Sequence, residues 1–210
     1  MRALGAELVE HGDDFQASRE HAAQLAQQQG ALMVPSFGAE LVCGVATGWW
    51  EFFRAAPGLD VVYVPIGLGS GICAAIAAKL ALGHTTRIVG VVSRHATTYA
   101  DSLAADRVVA APVSTVLADG MACRVAEPEA LEIIGSHVDH IVQVDDAEVA
   151  QAMRAIFADT HNVAEGAGAA GFAAAMQERG QNQGRAVGTV LSGGNVDSAM
   201  LARVLAGASA

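Results

Sequence analysis

Five consecutive residues, Gly67-Leu68-Gly69-Ser70-Gly71, have the small side chains and open backbone that let amide groups close around an anion. They follow a β-branched run, Val61 to Ile66, and precede an Ala-rich stretch of helical spacing. Loop amides and the positive end of a helix dipole therefore converge at one point, where a phosphate could rest. The loop lacks the lysine of a Walker motif, and no GxGxxG spacing with a later acidic residue is present, which disfavours nucleotide triphosphates. On this loop alone, glycines that merely let strand and helix pack closely are an equally good explanation. A second turn, Ser192-Gly193-Gly194-Asn195, also follows a strand-like run, and two such turns can meet at the carboxyl ends of parallel strands to form one ligand site. Between them lies Glu165-Gly166-Ala167-Gly168-Ala169-Ala170, so small in side chain that a neighbouring helix or a flat ligand must approach its backbone; close packing is the commoner cause.

Other chemistry is poorly supported. The seven histidines never fall into HExxH or CxxC-type spacing, and His137 and His140 lack a third ligand nearby, so no zinc site is expected. Asp119 and Asp159 read best as solvated loop carboxylates. Cys43, Cys73 and Cys123 are widely spaced in apolar surroundings, which suits buried free thiols in a reducing, cytoplasmic setting. With 22 acidic residues against 12 lysines and arginines, the formal charge of −10 opposes a grip on nucleic acid. Apolar runs are broken well before the roughly 18 residues of a membrane span, and the first residues lack the apolar core of a signal peptide.

The elements that must position these residues alternate strand and helix over 210 residues, 52% of them hydrophobic. Strands are expected at Ala6 to Glu10, Ala31 to Pro35, Val61 to Ile66, Arg87 to Ser93, Ile141 to Val144 and Ala186 to Leu191. Helices are expected at Phe15 to Gln29 with Gly30 as stop, Leu41 to Ala55, Ile72 to Leu82, Ala130 to Gly135, Ala147 to Asp159, Ala164 to Arg179 and Asp197 to Leu205. From Arg94 to Ala126 the pattern is irregular. The pattern implies an α/β fold with an open, mostly parallel sheet and helices on both faces.

Four runs in order, Val64-Pro65-Ile66-Gly67-Leu68-Gly69-Ser70-Gly71, Ala118-Asp119-Gly120-Met121-Ala122, Ala164-Glu165-Gly166-Ala167-Gly168-Ala169 and Leu191-Ser192-Gly193-Gly194-Asn195, resemble the threonine/serine dehydratase family of pyridoxal-phosphate enzymes of fold type II. The resemblance implies a remainder of a small cofactor domain at residues 1–34 and a large α/β domain at 35–210. It also implies that Gly67, Leu68, Gly69, Ser70 and Gly71 bind the cofactor phosphate, that Ser192 bonds the pyridine nitrogen, and that Glu165 lies near the substrate side of the ring. The implied reaction removes the β-hydroxyl of L-threonine or L-serine, giving a 2-oxo acid and ammonia; a racemase activity on the same scaffold stays open.

The family's lysine, which binds the cofactor covalently, and its asparagine loop would lie upstream of the residues present, and the one lysine of this chain, Lys79, falls on a helix leading away from the loop. The chain is therefore expected to be a truncated form, inactive alone, that pairs with a missing N-terminal segment or another copy. A noncatalytic phosphate-ligand-binding or assembly subunit is the alternative. Where some members hold a cation, Val92 and Thr98 replace acidic oxygen donors, so no metal is expected.

Overall fold

A computed structural model describes residues 1–207, and these divide into two compact units, Met1–Ser36 and a second that begins at Phe37. The first unit holds a 3₁₀ turn, Arg2–Leu4, and helix α1 (Phe15–Gln29). The Asp14 carboxylate accepts from the Ala17 amide at 2.8 Å, and Gly30, in the left-handed region at φ 63°, ends the helix. The strands expected at Ala6 to Glu10 and Ala31 to Pro35 do not form. An extended segment becomes a strand only when a second one bonds to it, and neither has a ladder partner among the described residues.

The second unit is built on four parallel strands, β1 (Val61–Pro65), β2 (Arg87–Ser93), β3 (Ile141–Val144) and β4 (Val187–Thr189), in the order β3-β2-β1-β4. Its helices are α2 (Ala39–Ala55), α3 (Ser70–Leu82), α4 (Thr98–Ala105), α5 (Pro128–His137), α6 (Asp146–Thr160), α7 (Gly166–Gln177) and α8 (Ser198–Leu205). Alternate strand residues feed two cores. Val62, Val64, Ile88 and Val92 pack with Trp49 and Phe53 of α2, Ile72 and Ile76 of α3, and Ala130 and Ile134 of α5. Val61, Tyr63, Val89, Val91, Val142 and Val144 pack with Val149 and Met153 of α6, Ala170 and Ala174 of α7 and Val204 of α8. Both sheet faces are thus covered, which is why Val61 to Val64 are buried without alternation.

The chain leaves β1 through α3 to β2, continues through α4 and α5 to β3, then returns through α6 and α7 to β4 on the other side of β1. The winding reverses between β1 and β4, and the carboxyl ends of these two strands open a crevice there. Of the cysteines, Cys73 and Cys123 are buried thiols as expected, whereas Cys43 is exposed because its position on α2 faces away from the core.

Candidate functional site

Tyr63 pairs with Thr189 across β1 and β4, so the Gly67–Gly71 loop and the Ser192–Asn195 turn leave adjacent strands, about 5 Å apart, from the same end of the sheet. Gly69 caps α3 with φ 100° and ψ −7°, a conformation open to glycine. The first amide used by α3 is that of Cys73, donating to the Gly69 carbonyl at 3.0 Å. Among the described residues no hydrogen bond engages the amides of Gly69, Ser70 or Gly71, nor the Ser70 hydroxyl. Space beside Gly71 is open, since a Cβ there would meet nothing within 4 Å.

The other three motifs are linked to this loop in sequence, the Gly120 segment to Gly67, α7 to that segment and the Ser192 turn to α7, through contacts that only glycine allows. A Cβ on Gly67 would collide with the Gly120 carbonyl, and one on Gly120 would lie 2.9 Å from the Ala167 Cβ. In the same way Gly166 faces the Leu117 carbonyl and Gly168 faces the Gly193 carbonyl. The small residues of α7 therefore serve close approach, but to loop backbone and to the Tyr63 carbonyl of β1 beside Gly171, where a helix or a flat ligand was the expectation.

Glu165, the residue before α7, ties the second turn down. Its amide donates to the Gly193 carbonyl at 3.0 Å, and its Oε2 accepts from the Asn195 amide at 3.0 Å. Gly193 has no room for a Cβ because the Glu165 carboxylate fills that space. Ser192 is exposed immediately before this braced glycine. Gly67, Leu68, Gly69, Ser70, Gly71, Glu165 and Ser192 are thus gathered at the carboxyl ends of β1 and β4.

Lys79 is not among them. It lies in the last turn of α3, about 13 Å along the helix axis from Ser70. Val92 is buried in the core, and the Thr98 hydroxyl donates to the Arg124 carbonyl at 3.2 Å.

Two supporting groups escaped sequence reasoning. Tyr99, on α4 within the stretch that reads as irregular, is buried, and its hydroxyl donates to the Leu68 carbonyl at 2.6 Å while accepting from the Glu127 amide at 3.2 Å. Burial pushes this phenol well above the ordinary tyrosine value. Asp146, at the start of α6, accepts from the Thr115 hydroxyl at 2.7 Å and the Val116 amide at 2.8 Å, and so fixes the segment that carries Gly120. Both are polar partners distant in sequence, and no local spacing announces them.

At the amino ends of the strands a separate polar chain runs from Arg87 to Asp139, His140, Glu178 and Tyr63. The distances are 3.6 Å for Arg87 to Asp139, 2.8 Å for Asp139 to His140 Nδ1, 3.0 Å for His140 Nε2 to Glu178, and 2.6 Å for Tyr63 to Glu178. Burial and the Glu178 carboxylate push the Tyr63 phenol up to about 12. Burial disfavours the His140 imidazolium, but its hydrogen bonds to Asp139 and Glu178 outweigh this and raise its pKa.

The family profile described as "Pyridoxal-phosphate dependent enzyme" matches residues 1–193. An L-threonine ammonia-lyase from Geobacter sulfurreducens is 36% identical over 198 residues, 93% of this chain and 49% of that protein. The L-threonine ammonia-lyase from Thermotoga maritima is 30% identical over 205 residues, 97% of this chain and 51% of that protein. The processed form of threonine deaminase isoform 2 from Solanum lycopersicum superposes with a TM-score of 0.87 at 25% identity, covering 97% of this chain and 60% of that one. The chain spans about half the length of the curated relatives it matches. With its four glycine motifs gathered at one end of a parallel sheet, the chain belongs to the pyridoxal-phosphate dependent enzyme family.

Proposed function

We propose that this chain supplies the phosphate cradle and the ring-nitrogen contact of a pyridoxal-phosphate ammonia-lyase that acts on a small hydroxy amino acid, L-threonine or L-serine. The observation that carries the reading is the convergence of the Gly67–Gly71 loop and the Ser192 turn at the crevice between β1 and β4. The residues present fit the cofactor. Three unengaged amides, the Ser70 hydroxyl and open space at Gly71 suit a dianionic phosphate at the start of α3. Ser192, at the end of the neighbouring strand, suits the nitrogen end of the ring. Bound there, pyridoxal phosphate supplies the electron sink that stabilises the substrate's α-carbon as its proton leaves.

The protein's own part is positional. Gly67 to Gly71 hold the phosphate through backbone N–H groups. The Ser192 hydroxyl, neutral where a carboxylate would keep the ring protonated, gives a milder sink. Glu165 holds the Ser192 turn in place through Gly193 and Asn195. The amine that takes the α-proton is not Lys79, whose position at the far end of α3 keeps it off the cradle. Residues 1–34 are assigned to the remainder of a smaller domain, the rest to the large one.

The nucleotide sequence immediately before the Met1 codon, followed by an assay, tests this reading. An in-frame segment with a lysine motif and an asparagine loop is expected, and a chain extended by it should convert L-threonine or L-serine to a 2-oxo acid and ammonia. The 210-residue chain alone should give no turnover and no borohydride-reducible adduct on Lys79. An extended chain that binds pyridoxal phosphate and turns over neither amino acid overturns the lyase reading.

A further inference from the structure

The loop that cradles the phosphate is glycine-rich, and the same freedom that shapes it allows it to misfold locally. In a trans peptide the C=O and N–H point in opposite directions, and no cis bond is present among the described residues. The Leu68 carbonyl and the Gly69 amide belong to one such peptide, so the direction of one sets the direction of the other. Gly69 adopts φ 100°, yet glycine tolerates the negative φ that a flip of this peptide would give. A flipped peptide would turn a carbonyl oxygen toward an anion in place of an N–H. Something outside the loop must therefore select the orientation.

Tyr99 is placed to do so. The residue is 2% exposed, and its hydroxyl stands 2.6 Å from the Leu68 oxygen as donor, with its own oxygen occupied by the Glu127 amide at 3.2 Å. Donor and acceptor roles are both taken, so the hydroxyl proton is committed to Leu68. Tyr99 comes from α4, and Glu127 immediately precedes α5, so the loop orientation is referred to two helices of the core. The Gly69 amide on the other side of the same peptide engages no group of the protein among the described residues.

We propose that the Tyr99 hydroxyl is a positioning group for the cofactor phosphate: by anchoring the Leu68 carbonyl it holds the Gly69 N–H toward the bound anion. This rests on the reading of Gly67–Gly71 as the phosphate cradle, and the experiment separates the two claims. The full chain is labelled with ¹⁵N and titrated with inorganic phosphate, following the amides of Gly69, Ser70 and Gly71, for wild type, Tyr99→Phe and Ser102→Ala. Ser102 is a buried hydroxyl on the same helix that bonds the Val109 amide at 2.9 Å, so its loss matches the structural cost without touching the loop.

In the wild type all three amides should shift with one apparent affinity. Tyr99→Phe should bind about tenfold more weakly, the worth of one oriented hydrogen bond, and lose the Gly69 response. Ser102→Ala should keep wild-type affinity even if its melting temperature falls as far. Equal weakening in both variants, or undiminished binding in Tyr99→Phe, overturns the role of Tyr99 and leaves the cradle standing. A wild type in which none of the three amides moves overturns the cradle itself. Should Tyr99→Phe not fold, the wild-type titration alone decides: Ser70 and Gly71 moving without Gly69 contradicts the proposed orientation.

Discussion

Single residues in this molecule are chosen as much for what they omit as for what they carry. Gly67, Gly166, Gly168 and Gly193 each stand where a Cβ would strike backbone or a carboxylate, and these absences let three loops and α7 meet at one crevice. Gly69 adds a conformational demand at φ 100°. A valine there meets the left-handed penalty and would press its Cβ to 2.7 Å from that of Ala130, a combined cost of about 2 to 4 kcal/mol. At the opposite end of the sheet, His140 is the residue whose charge stability should follow. Its folded pKa lies above its ordinary 6.5, so the stability it contributes is fully present below pH 6.5 and is lost as pH rises through the folded value. Melting temperature should therefore fall over the window just above pH 6.5, and His140→Gln should flatten that slope. An unchanged slope in the variant would assign the effect to another group. The imidazole is 37% exposed, so solvent keeps the effect modest.

Elements were legible where their signals are local. The buried β-branched run of β1 and the left-handed glycines after α1 and α3 mark boundaries that the sequence displays. Helix α4 was hidden for a matching reason. It is eight residues long, its N-cap Thr97 makes no side-chain cap bond, and it ends on Asp106 in the left-handed region where glycine would have signalled a stop. Tyr99 was lost with it. The first unit's two supposed strands failed because strand formation depends on a partner elsewhere, which composition does not disclose. For the site, the glycine loops, Glu165 and Ser192 could be read from motifs, whereas the Tyr99 and Asp146 braces depend on tertiary contacts 31 residues away in sequence. Asp146→Asn should weaken the paired bonds to Thr115 and Val116 at a cost of about 1 to 3 kcal/mol. Urea unfolding would give that loss, and faster hydrogen exchange at the Ala118 and Met121 amides would show the Gly120 segment loosening. Exchange at wild-type rates would mean that packing of Leu117 and Met121 holds the segment without Asp146.

At the scale of the whole molecule, a four-stranded parallel sheet and its helices bring the Gly67–Gly71 loop and the Ser192–Asn195 turn to one crevice, on a chain that spans about half the length of the curated relatives it matches. No helix among the described residues is long and apolar enough to cross a membrane. The two ends of the proposed cofactor site come from different strands, so they should respond to substitution independently. The direct measurement is the affinity of the purified chain for pyridoxal phosphate and for pyridoxal, in the wild type, Gly69→Val and Ser192→Ala. The phosphate should strengthen binding about a hundredfold in the wild type, as expected for two or more charge-assisted bonds. Gly69→Val should erase that advantage, and Ser192→Ala should weaken both ligands while preserving their ratio. Equal affinity for the two ligands in the wild type, or loss of the phosphate advantage on Ser192→Ala alone, would contradict the account.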